Sequence, residues 1–353
     1  MNIQKALLSL LCAFAFSGYA QKIPPRSYVA HRIETPLNID GKADEQEWKE
    51  AAFSQPFIDI EGEKIPKYET RVKMLWDEEN LYFYAELNEP HIWATLKQRD
   101  TVIFYNNDFE IFIDPDGDTH NYYEFEMNAL NTVWDLLLVK PYRESAPVLD
   151  SWDIQGLQTA VSINGTLNDP ADTDTGWSVE IAMPWSVLVE ASGSNDLPAD
   201  QFWRINFSRV NWDFELNEDR YSRAQDASGN NLPEYNWVWS PQGVINMHEP
   251  EHWGYVFFSS KPLTETESFS IPVDEQIRWK LYEIYRKQKA FYNTHKAWAE
   301  NLDDLAAASF EIEGKIVKPE INTHKMGWTI FVESPFTGYT YSIREDGKYL
   351  KID

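Results

Sequence analysis

Carboxylates are dense between Asn106 and Asp118, a segment that reads NNDFEIFIDPDGD. A run of this kind suits three types of chemistry. A glycosidase needs two carboxyl groups about 5 Å apart for retention or about 6.5–9.5 Å apart for inversion. A calcium site needs several oxygen ligands in a tight loop, and a binding surface needs acceptors for the hydroxyl groups of its ligand. The element that carries the segment decides which of the three applies.

The first half of the segment has the alternation of a β-strand. On a strand from Asp108 to Asp114, successive side chains point to opposite faces of the sheet. One face then carries Phe109, Ile111 and Ile113, and the other carries Asp108, Glu110, Phe112 and Asp114. We therefore expect Glu110 to point away from the apolar core, where its carboxylate can accept hydrogen bonds from a ligand.

The second half of the segment places carboxylates at Asp114, Asp116 and Asp118 around a Pro-Gly turn. Hard oxygen ligands in a tight loop are what calcium requires, although the spacing lacks the later glutamate of an EF-hand. A solvated acidic turn fits the same residues, so both interpretations stay open. Calcium in a structural role is the one cofactor that the sequence favours, and no cofactor is expected for chemistry.

The N-terminus has the pattern of a secretory signal. Lys5 precedes the apolar stretch Ala6 to Phe16, and small residues end at Ala20. This pattern predicts a signal peptide over residues 1–20 that is cleaved near Ala20. The protein is therefore expected to be secreted, periplasmic or at the cell surface. The single cysteine, Cys12, lies within this stretch, so a mature chain without disulfides is expected.

Charge and hydropathy narrow the range of partners. The chain has 57 acidic and 31 basic residues and a formal net charge of −26, which repels nucleic acid and anionic membranes. No later segment has the ~20 apolar residues that a membrane span needs. We therefore expect neither a nucleic-acid partner nor membrane insertion. Aromatic residues make up 15% of the chain, enough for a large β core and for rings that stack on sugars.

Short alternating segments separated by turn residues run through most of the chain. Thr70–Trp76 and Leu81–Leu87, for example, read as a hairpin across the turn at Asp77–Asn80. The spacing of these segments predicts an all-β sandwich over residues 22–258 rather than alternating β and α units.

A small α+β unit is predicted over residues 271–353, after a linker at residues 259–270. Apolar residues at helical spacing predict a helix from Val273 to about Tyr292, and a second helical stretch is expected from Trp298 to Ala308. Short antiparallel strands follow, and the Asp346-Gly347 pair favours a hairpin turn between the last two.

Five segments in order resemble the motifs of family 9 carbohydrate-binding modules. They are Ile39–Trp48, Val72–Ala85, the NDFEIFID segment, Gly176–Trp185 and Pro250–Gly254. The resemblance covers about residues 22–258 and implies a DOMON-like, immunoglobulin-like two-layer β-sandwich that binds an oligo- or polysaccharide. It also implies calcium in a structural role, and many such relatives are secreted components of polysaccharide breakdown.

The C-terminal unit has a less specific resemblance, which rests on the segment Ala290–Leu305. This segment, with the strands after it, is similar to the head domain of type IV pilin-like proteins. The similarity implies a docking or spacer module, so a protein partner for this unit is expected.

The family 9 resemblance also implies which residues contact a saccharide. Glu110 matches a binding acid, and Arg209 falls where relatives place polar groups, although an Arg–carboxylate pair is an equal alternative. Two stacking positions of the family fall at residues other than tryptophan here, and Trp239 is a further platform. The expected carbohydrate-binding residues are Phe104, Tyr105, Glu110, Arg209, Trp239, Met247 and His248.

These observations favour a secreted, non-catalytic carbohydrate-binding protein that serves extracellular polysaccharide recognition and carbohydrate catabolism. Two alternatives stay open. A glycoside hydrolase acting on O-glycosyl bonds would use a carboxylate pair, but no pattern singles out an acid and a nucleophile. A haem-binding DOMON-like electron-transfer protein would use Met247 or His248 as an iron ligand, but the chain has no C-x-x-C-H motif.

Overall fold

The structure is a computed structural model that describes residues 24–352; the predicted signal peptide lies outside the described residues. The strands in this range are β1 Ser27–Arg32, β2 Ile58–Asp59, β3 Thr70–Trp76, β4 Asn80–Asn88, β5 Asp108–Asp114, β6 Tyr122–Asn128, β7 Val133–Leu138, β8 Val148–Leu149, β9 Gln158–Asn164, β10 Gly176–Pro184, β11 Phe202–Asn211, β12 Phe214–Asn217, β13 Arg220–Arg223, β14 Tyr235–Val238, β15 Gly254–Pro262, β16 Phe310–Ile312, β17 Lys315–Val317, β18 Glu320–His324, β19 Gly327–Glu333, β20 Thr340–Arg344 and β21 Tyr349–Ile352. The α-helices are α1 Gln46–Glu50, α2 Trp185–Leu188 and α3 Glu275–His295. Short 3₁₀ helices cover Ile103–Tyr105, Tyr142–Glu144, Val189–Ala191 and Pro250–His252.

Most of the N-terminal strands belong to one sheet that folds over on itself. The strand order is β8-β7-β6-β5-β11-β15-β1-β3-β4-β10-β9, with β14 on β11 and β2 on β14. β1 runs parallel to both of its neighbours, and the other pairs are antiparallel. Phe83 of β4 packs edge-on against Phe207 of β11 at 5.7 Å between ring centroids, so the two halves of the sheet face each other. The predicted β-sandwich is confirmed.

The alternation of β5 determines which side chains enter this sandwich. Phe109, Ile111 and Ile113 are at most 1% exposed and belong to the core between the two layers. Burying each of them contributes roughly 1.5–3 kcal/mol to folding. Phe112 belongs to a separate cluster on the opposite face of the same strand, so Glu110 points away from the main core, as the sequence predicts.

A smaller α+β unit follows the sandwich. It contains α3, the β16–β17 hairpin and the antiparallel sheet β18-β19-β20-β21. Ile277, Leu281 and Ile284 of α3 pack in a second core with the tryptophan of β19, Trp328. No helix among the described residues 24–352 combines the length and apolar character needed to cross a membrane.

The second helical stretch expected from Trp298 to Ala308 does not form; the segment consists of turns. The helix α3 ends at His295, and the left-handed φ of 56° at the next residue, Lys296, reverses the chain. The side-chain amide of Gln288 then holds the returning chain, since it donates to the Ala299 carbonyl at 3.0 Å and accepts from the Ala299 N–H at 3.1 Å. This hydrogen bonding replaces the continued helix.

Ion pairs dock the small unit on the sandwich. Arg286 of α3 pairs with Glu249 at 2.8 Å and with Glu251 at 2.5 Å. Lys289 of the same helix pairs with Glu144 at 2.8 Å. Glu249 and Glu251 are at most 5% exposed, whereas the Arg286 side chain is 40% exposed, so these contacts lie at the edge of the interface with the carboxylates on its inner side.

Candidate functional site

A continuous row of polar side chains crosses the outer face of the sandwich. Ser208 of β11 is the cross-strand partner of Glu110 on β5, Glu110 is the partner of Glu126 on β6, and Glu126 is the partner of Trp134 on β7. Direct partners in a sheet share one face, so the four side chains lie side by side.

Two more carboxylates extend this row along the strands. Glu124 lies two residues from Glu126 on β6, and Asp108 lies two residues from Glu110 on β5, so both share its face. We call Asp108, Glu110, Glu124 and Glu126 the acidic face. None of the four is more than 5% exposed.

The acidic face brings four carboxyl groups together without a strongly basic partner. Within residues 24–352, no Lys or Arg side chain lies within ion-pairing distance of these four carboxylates. Burial raises the pKa of Glu110 to about 7, and burial and neighbouring carboxylates hold the pKa of Asp108 and Glu126 well above the usual range. Burial and the charge of Glu110 raise the pKa of Glu124 in the same way.

One rim of the acidic face comes from the 3₁₀ helix Ile103–Tyr105. The backbone N–H of Phe104 donates to Glu126 at 3.0 Å, which fixes this segment beside the carboxylates. Phe104 is half-buried and packs against Tyr105 at 5.0 Å between ring centroids. The Tyr105 ring is 48% exposed, and the Arg223 guanidinium lies over it at 5.0 Å from the ring centroid.

A second rim comes from the segments that carry Tyr142 and His248. Tyr142 is 48% exposed, and its ring lies 4.2 Å from the His248 ring between centroids. Burial and the charges of Glu124 and Glu126 raise the pKa of Tyr142 to about 12.

His248 and Met247 lie between this second rim and the strands of the acidic face. His248 Nδ1 lies 3.0 Å from the Tyr122 hydroxyl, and its Nε2 lies 3.9 Å from Glu124. Burial and the charge of Arg143 lower the pKa of His248 to about 3, so the ring is neutral and does not neutralise Glu124. Met247 is half-buried and packs against the apolar cluster that contains Phe112.

The structure brings together five of the seven expected binding residues and separates two. Arg209 is fully buried and on the opposite face from Glu110, because its neighbour Ser208 is the residue that pairs with Glu110. Its guanidinium bonds Glu89 at 2.7 Å, which is the Arg–carboxylate pair weighed as the alternative. This pairing, rather than saccharide contact, accounts for Arg209.

Trp239 is also in the interior rather than on a surface. It is 1% exposed and packs in the main core, 5.8 Å from Phe207 between ring centroids. A Cβ on Gly254 would approach the Trp239 ring at 2.2 Å, so the indole fills the space above this glycine. A saccharide at the surface cannot stack on it.

The acidic loop after β5 makes internal contacts. Asp114 accepts the N–H groups of Gly117 and Thr119 at 3.1 and 2.9 Å. Asp118 pairs with Lys348 of the small unit at 2.7 Å. Oxygens of Asp114, Asp116 and Asp118 lie within 4.8 Å of one another, so an ion could reach them, but it would compete with Lys348. Calcium at this loop stays a prediction.

Sequence reasoning missed Glu124, Glu126 and Tyr142 as members of the site. The first two could have been found, because the alternation of Tyr123, Phe125 and Met127 already assigns the even-numbered residues of β6 to the other face. Tyr142 lies on a loop with no periodicity, and only the fold brings it to the acidic face.

The chemical capacity of this arrangement is recognition of a hydroxylated ligand. Carboxylates accept hydrogen bonds from hydroxyl groups, and exposed tyrosine rings pack on the C–H face of a pyranose. Fold and site together define a β-sandwich with a polar outer face bordered by aromatic rings.

The family model for the carbohydrate family 9 binding domain-like family matches residues 39–240. The chain belongs to this family. The match includes the three strands that supply Glu110, Glu126 and Ser208. A comparison with curated protein sequences finds no match.

Solved structures with similar folds include a family 9 carbohydrate-binding module from Caldicellulosiruptor kristjanssonii in complex with cellotriose, at 15% identity and a TM-score of 0.43. The match covers 70% of this chain and 100% of that one. A Bacteroides uniformis protein to which carbohydrate binding has been ascribed has 17% identity and a TM-score of 0.48, covering 66% of this chain and 99% of that one.

Proposed function

We propose that this protein binds an oligo- or polysaccharide on the acidic face, with Glu110 and its neighbours as hydrogen-bond acceptors and Tyr105 and Tyr142 as apolar platforms. The observation that supports the proposal most is the set of four carboxyl groups on one face of a family 9 fold, with the half-exposed Tyr105 and Tyr142 on segments that adjoin this face. In this proposal the protein has no catalytic activity of its own. After secretion it serves extracellular polysaccharide recognition and breakdown.

The energetics of the acidic face support a hydroxyl-rich ligand. Buried carboxylates without partners cost free energy, and each bond from a ligand hydroxyl lowers that cost. Any of these carboxyl groups that is ionised also repels an anionic sugar, because like charges at short range repel. We therefore infer a neutral or cationic saccharide rather than a uronic acid or a sulfated sugar.

Calorimetric titration with neutral oligosaccharides tests this function. Cellotriose is a suitable first ligand, since a solved family 9 module binds it, followed by xylo-, manno- and chito-oligosaccharides. Glu110→Gln keeps the size of the side chain and removes the charge, and we expect it to weaken the affinity at least tenfold. Glu320→Gln, an exposed acid on β18 of the small unit, is the matched control and should bind as the wild type does.

Two results would contradict the proposed function. If no neutral saccharide of the panel binds, or if Glu110→Gln binds each one as the wild type does, the acidic face is not the binding site. Incubating the same oligosaccharides with the protein tests the hydrolase alternative. Release of shorter sugars at low protein concentration would show turnover rather than binding.

A further inference from the structure

A cavity of about 740 Å³ lies between the sandwich and the small unit. Arg204 of β11 contributes to its wall from the sandwich, and Arg278 of α3 contributes from the small unit. Both side chains are at most 2% exposed. Arginine keeps its charge in a protein interior, so each guanidinium needs hydrogen-bond acceptors and a counter-charge in its surroundings.

One edge of the Arg278 guanidinium has no acceptor. Its Nε and Nη2 atoms have no hydrogen-bond partner in the described part of the chain. These two nitrogens form one edge of the guanidinium plane, and their N–H groups are parallel, as paired bonds to the two oxygens of a carboxylate require. Buried polar atoms are rarely left without partners, so this unfilled edge indicates a ligand.

The corresponding edge of Arg204 is filled by the protein itself. Its Nε donates to the Trp253 carbonyl at 3.2 Å, and its Nη2 donates to the same carbonyl and, at 3.2 Å, to the Glu251 carbonyl. The remaining nitrogen, Nη1, has no hydrogen-bond partner among residues 24–352. Arg204 can therefore add one further donor to a ligand that Arg278 holds.

The two guanidinium groups share one carboxylate. Nη1 of Arg204 and Nη1 of Arg278 each lie 3.7 Å from Glu275 Oε2, which is beyond hydrogen-bond distance. The same oxygen accepts the Tyr255 hydroxyl at 2.7 Å. Within the described residues, no other carboxylate is within 4 Å of either guanidinium. The pair therefore has one more positive charge than its direct partners neutralise.

The other acids of the cavity wall limit the charge of the ligand. Asp274 accepts the Tyr341 hydroxyl at 2.7 Å, and Asp200 accepts the Ser260 hydroxyl at 2.9 Å, so both have partners other than arginine. Because these carboxylates repel a second negative charge, a carboxylate with one charge fits the cavity better than a phosphate.

Aromatic rings form much of the cavity wall. Phe269 stacks on Phe257 at 5.1 Å between ring centroids and packs against Phe202 at 5.6 Å. The Tyr349 ring faces the Arg278 guanidinium, with 5.0 Å from its centroid to Cζ. Such a wall favours a ligand whose body is a ring with an apolar face.

We propose that this cavity binds a small monocarboxylate whose acid group is attached to a six-membered ring. The carboxylate accepts hydrogen bonds from Nε and Nη2 of Arg278, with Nη1 of Arg204 as a further donor, and the ring packs against the aromatic wall. Small-molecule sites typically have volumes of about 300–1,000 Å³, so the cavity has sufficient room. Aromatic acids and uronic acids share this chemistry. The site does not depend on the proposed function of the acidic face.

Calorimetric titration of the protein with sodium benzoate and with sodium glucuronate tests the proposal and distinguishes the two sources. We expect saturable binding of at least one acid below about 10 mM. Tighter binding of benzoate assigns the site to aromatic acids, and tighter binding of glucuronate assigns it to uronic acids. Their neutral analogues, benzamide and glucuronamide, should bind about tenfold more weakly or less, because they cannot pair with a guanidinium as a carboxylate does.

Arg278→Lys keeps the positive charge beside Glu275 and removes the paired donors, so we expect it to weaken binding of the acid about tenfold or more. Arg344→Lys, on β20 of the small unit, is the matched control. The same edge of Arg344 is filled by Asp346, at 3.3 Å from Nε and 2.9 Å from Nη2, and this variant should bind the acid as the wild type does.

Circular dichroism checks that each variant is folded. If Arg278→Lys fails to fold, Lys351→Glu replaces it. Lys351 is an exposed residue of the cavity wall, and an added negative charge there should weaken binding of the acid about threefold or more.

Four results would overturn the proposal. They are no saturable binding of either acid, equal binding of an acid and its neutral analogue, wild-type binding by the folded cavity variant, and an equal loss of binding in Arg344→Lys. Acetate, which lacks the ring, should bind more weakly than the ring acids, and equal binding would overturn recognition of the ring. None of these results bears on saccharide binding, because Arg278 belongs neither to the acidic face nor to its rims.

Discussion

At the scale of single residues, the acidic face is unfavourable for stability, which supports the proposal that it binds a ligand. Glu110 and Glu126 are direct cross-strand partners with the same charge, an arrangement that destabilises a sheet. Under the proposed function, hydrogen bonds from a bound ligand compensate for this pair. The sequence revealed the orientation of Glu110, because the alternation of β5 is strict. Its neighbours Glu126 and Ser208 became evident only from the pairing of β5 with β6 and β11 in the structure.

The protonation of Glu110 gives a prediction at the residue scale. Its pKa is raised from 4.5 to about 7 in the folded protein, so the folded chain holds a proton that the unfolded chain releases between these values. Stability therefore falls as pH rises through this window. Glu110→Gln removes this effect, and we expect it to stabilise the protein at pH 8 by up to about 3 kcal/mol with little change at pH 4.5.

Urea unfolding in EDTA at the two pH values measures this difference. Equal stabilities of Glu110→Gln and the wild type at pH 8 would show that the Glu110 carboxylate is not destabilised by its surroundings.

Arg209 gives a second prediction at the residue scale. Here the substitution is expected to destabilise the protein, whereas Glu110→Gln is expected to stabilise it. It is fully buried and bonds Glu89 at 2.7 Å and the Asn88 carbonyl at 2.9 Å. Arg209→Met leaves Glu89 buried without its partner, which should destabilise the protein by about 3–5 kcal/mol. The control Arg32→Met breaks an exposed pair with Glu78 and should cost less than about 1 kcal/mol.

Chemical denaturation measures both variants. A folded Arg209→Met of normal stability that no longer binds saccharide would return Arg209 to the binding site. The alternation of β11 already indicated that Arg209 points inward. Trp203, Ile205 and Phe207 are core residues at odd positions, and Arg209 continues that series.

At the scale of elements, strands supply the floor of the site and short helices supply its rims. The floor residues are fixed by hydrogen-bonded ladders, whereas Tyr105 and Tyr142 end or begin 3₁₀ helices of three residues each. Strand alternation can be read from a sequence, and the floor was largely predictable for that reason. The position of a loop tyrosine depends on contacts far away in sequence, which is why the second rim was not predicted.

Replacement of the rim tyrosines gives a prediction at this scale. Tyr105→Ala and Tyr142→Ala each remove a half-exposed ring, and we expect each to weaken saccharide affinity about 5–30-fold, or about 1–2 kcal/mol. Stability should change by less than about 1 kcal/mol, because neither ring is in a core. Tyr292→Ala, on α3 of the small unit, is a control of similar exposure at 38%.

Titration of the same oligosaccharide against the three variants provides the measurement. Wild-type affinity in both rim variants would show that the ligand does not stack between these rings.

For the whole molecule, the small unit supports the second rim of the site. Arg143 adjoins Tyr142 and donates to the His248 carbonyl at 3.3 Å and to Glu251 at 3.1 Å. Arg286 of α3 pairs with the same Glu251. One ion-pair network therefore joins α3 to both segments that carry rim residues. The sequence predicted the small unit but gave no indication of this connection, because ion pairs between distant segments leave no periodic pattern.

Arg286→Gln tests this connection without touching the ligand. We expect it to weaken saccharide affinity about 2–10-fold through a looser Tyr142 segment, and to lower the melting temperature by several degrees. Lys280→Gln, which breaks an exposed pair with Glu283 on the same helix, is the control. A destabilised Arg286→Gln with unchanged affinity would show that the small unit is a separate module.

The central claim is that the acidic face is the saccharide site, and a crystal structure with a bound oligosaccharide tests it most directly. The molecule offers a second place, a cavity of about 740 Å³ between the sandwich and the small unit that is lined by Arg204, Phe269 and Tyr349. We predict sugar density over Glu110, with hydroxyls within hydrogen-bond distance of its carboxylate and a ring against Tyr105 or Tyr142. Sugar bound in the cavity, with the acidic face holding none, would contradict the account.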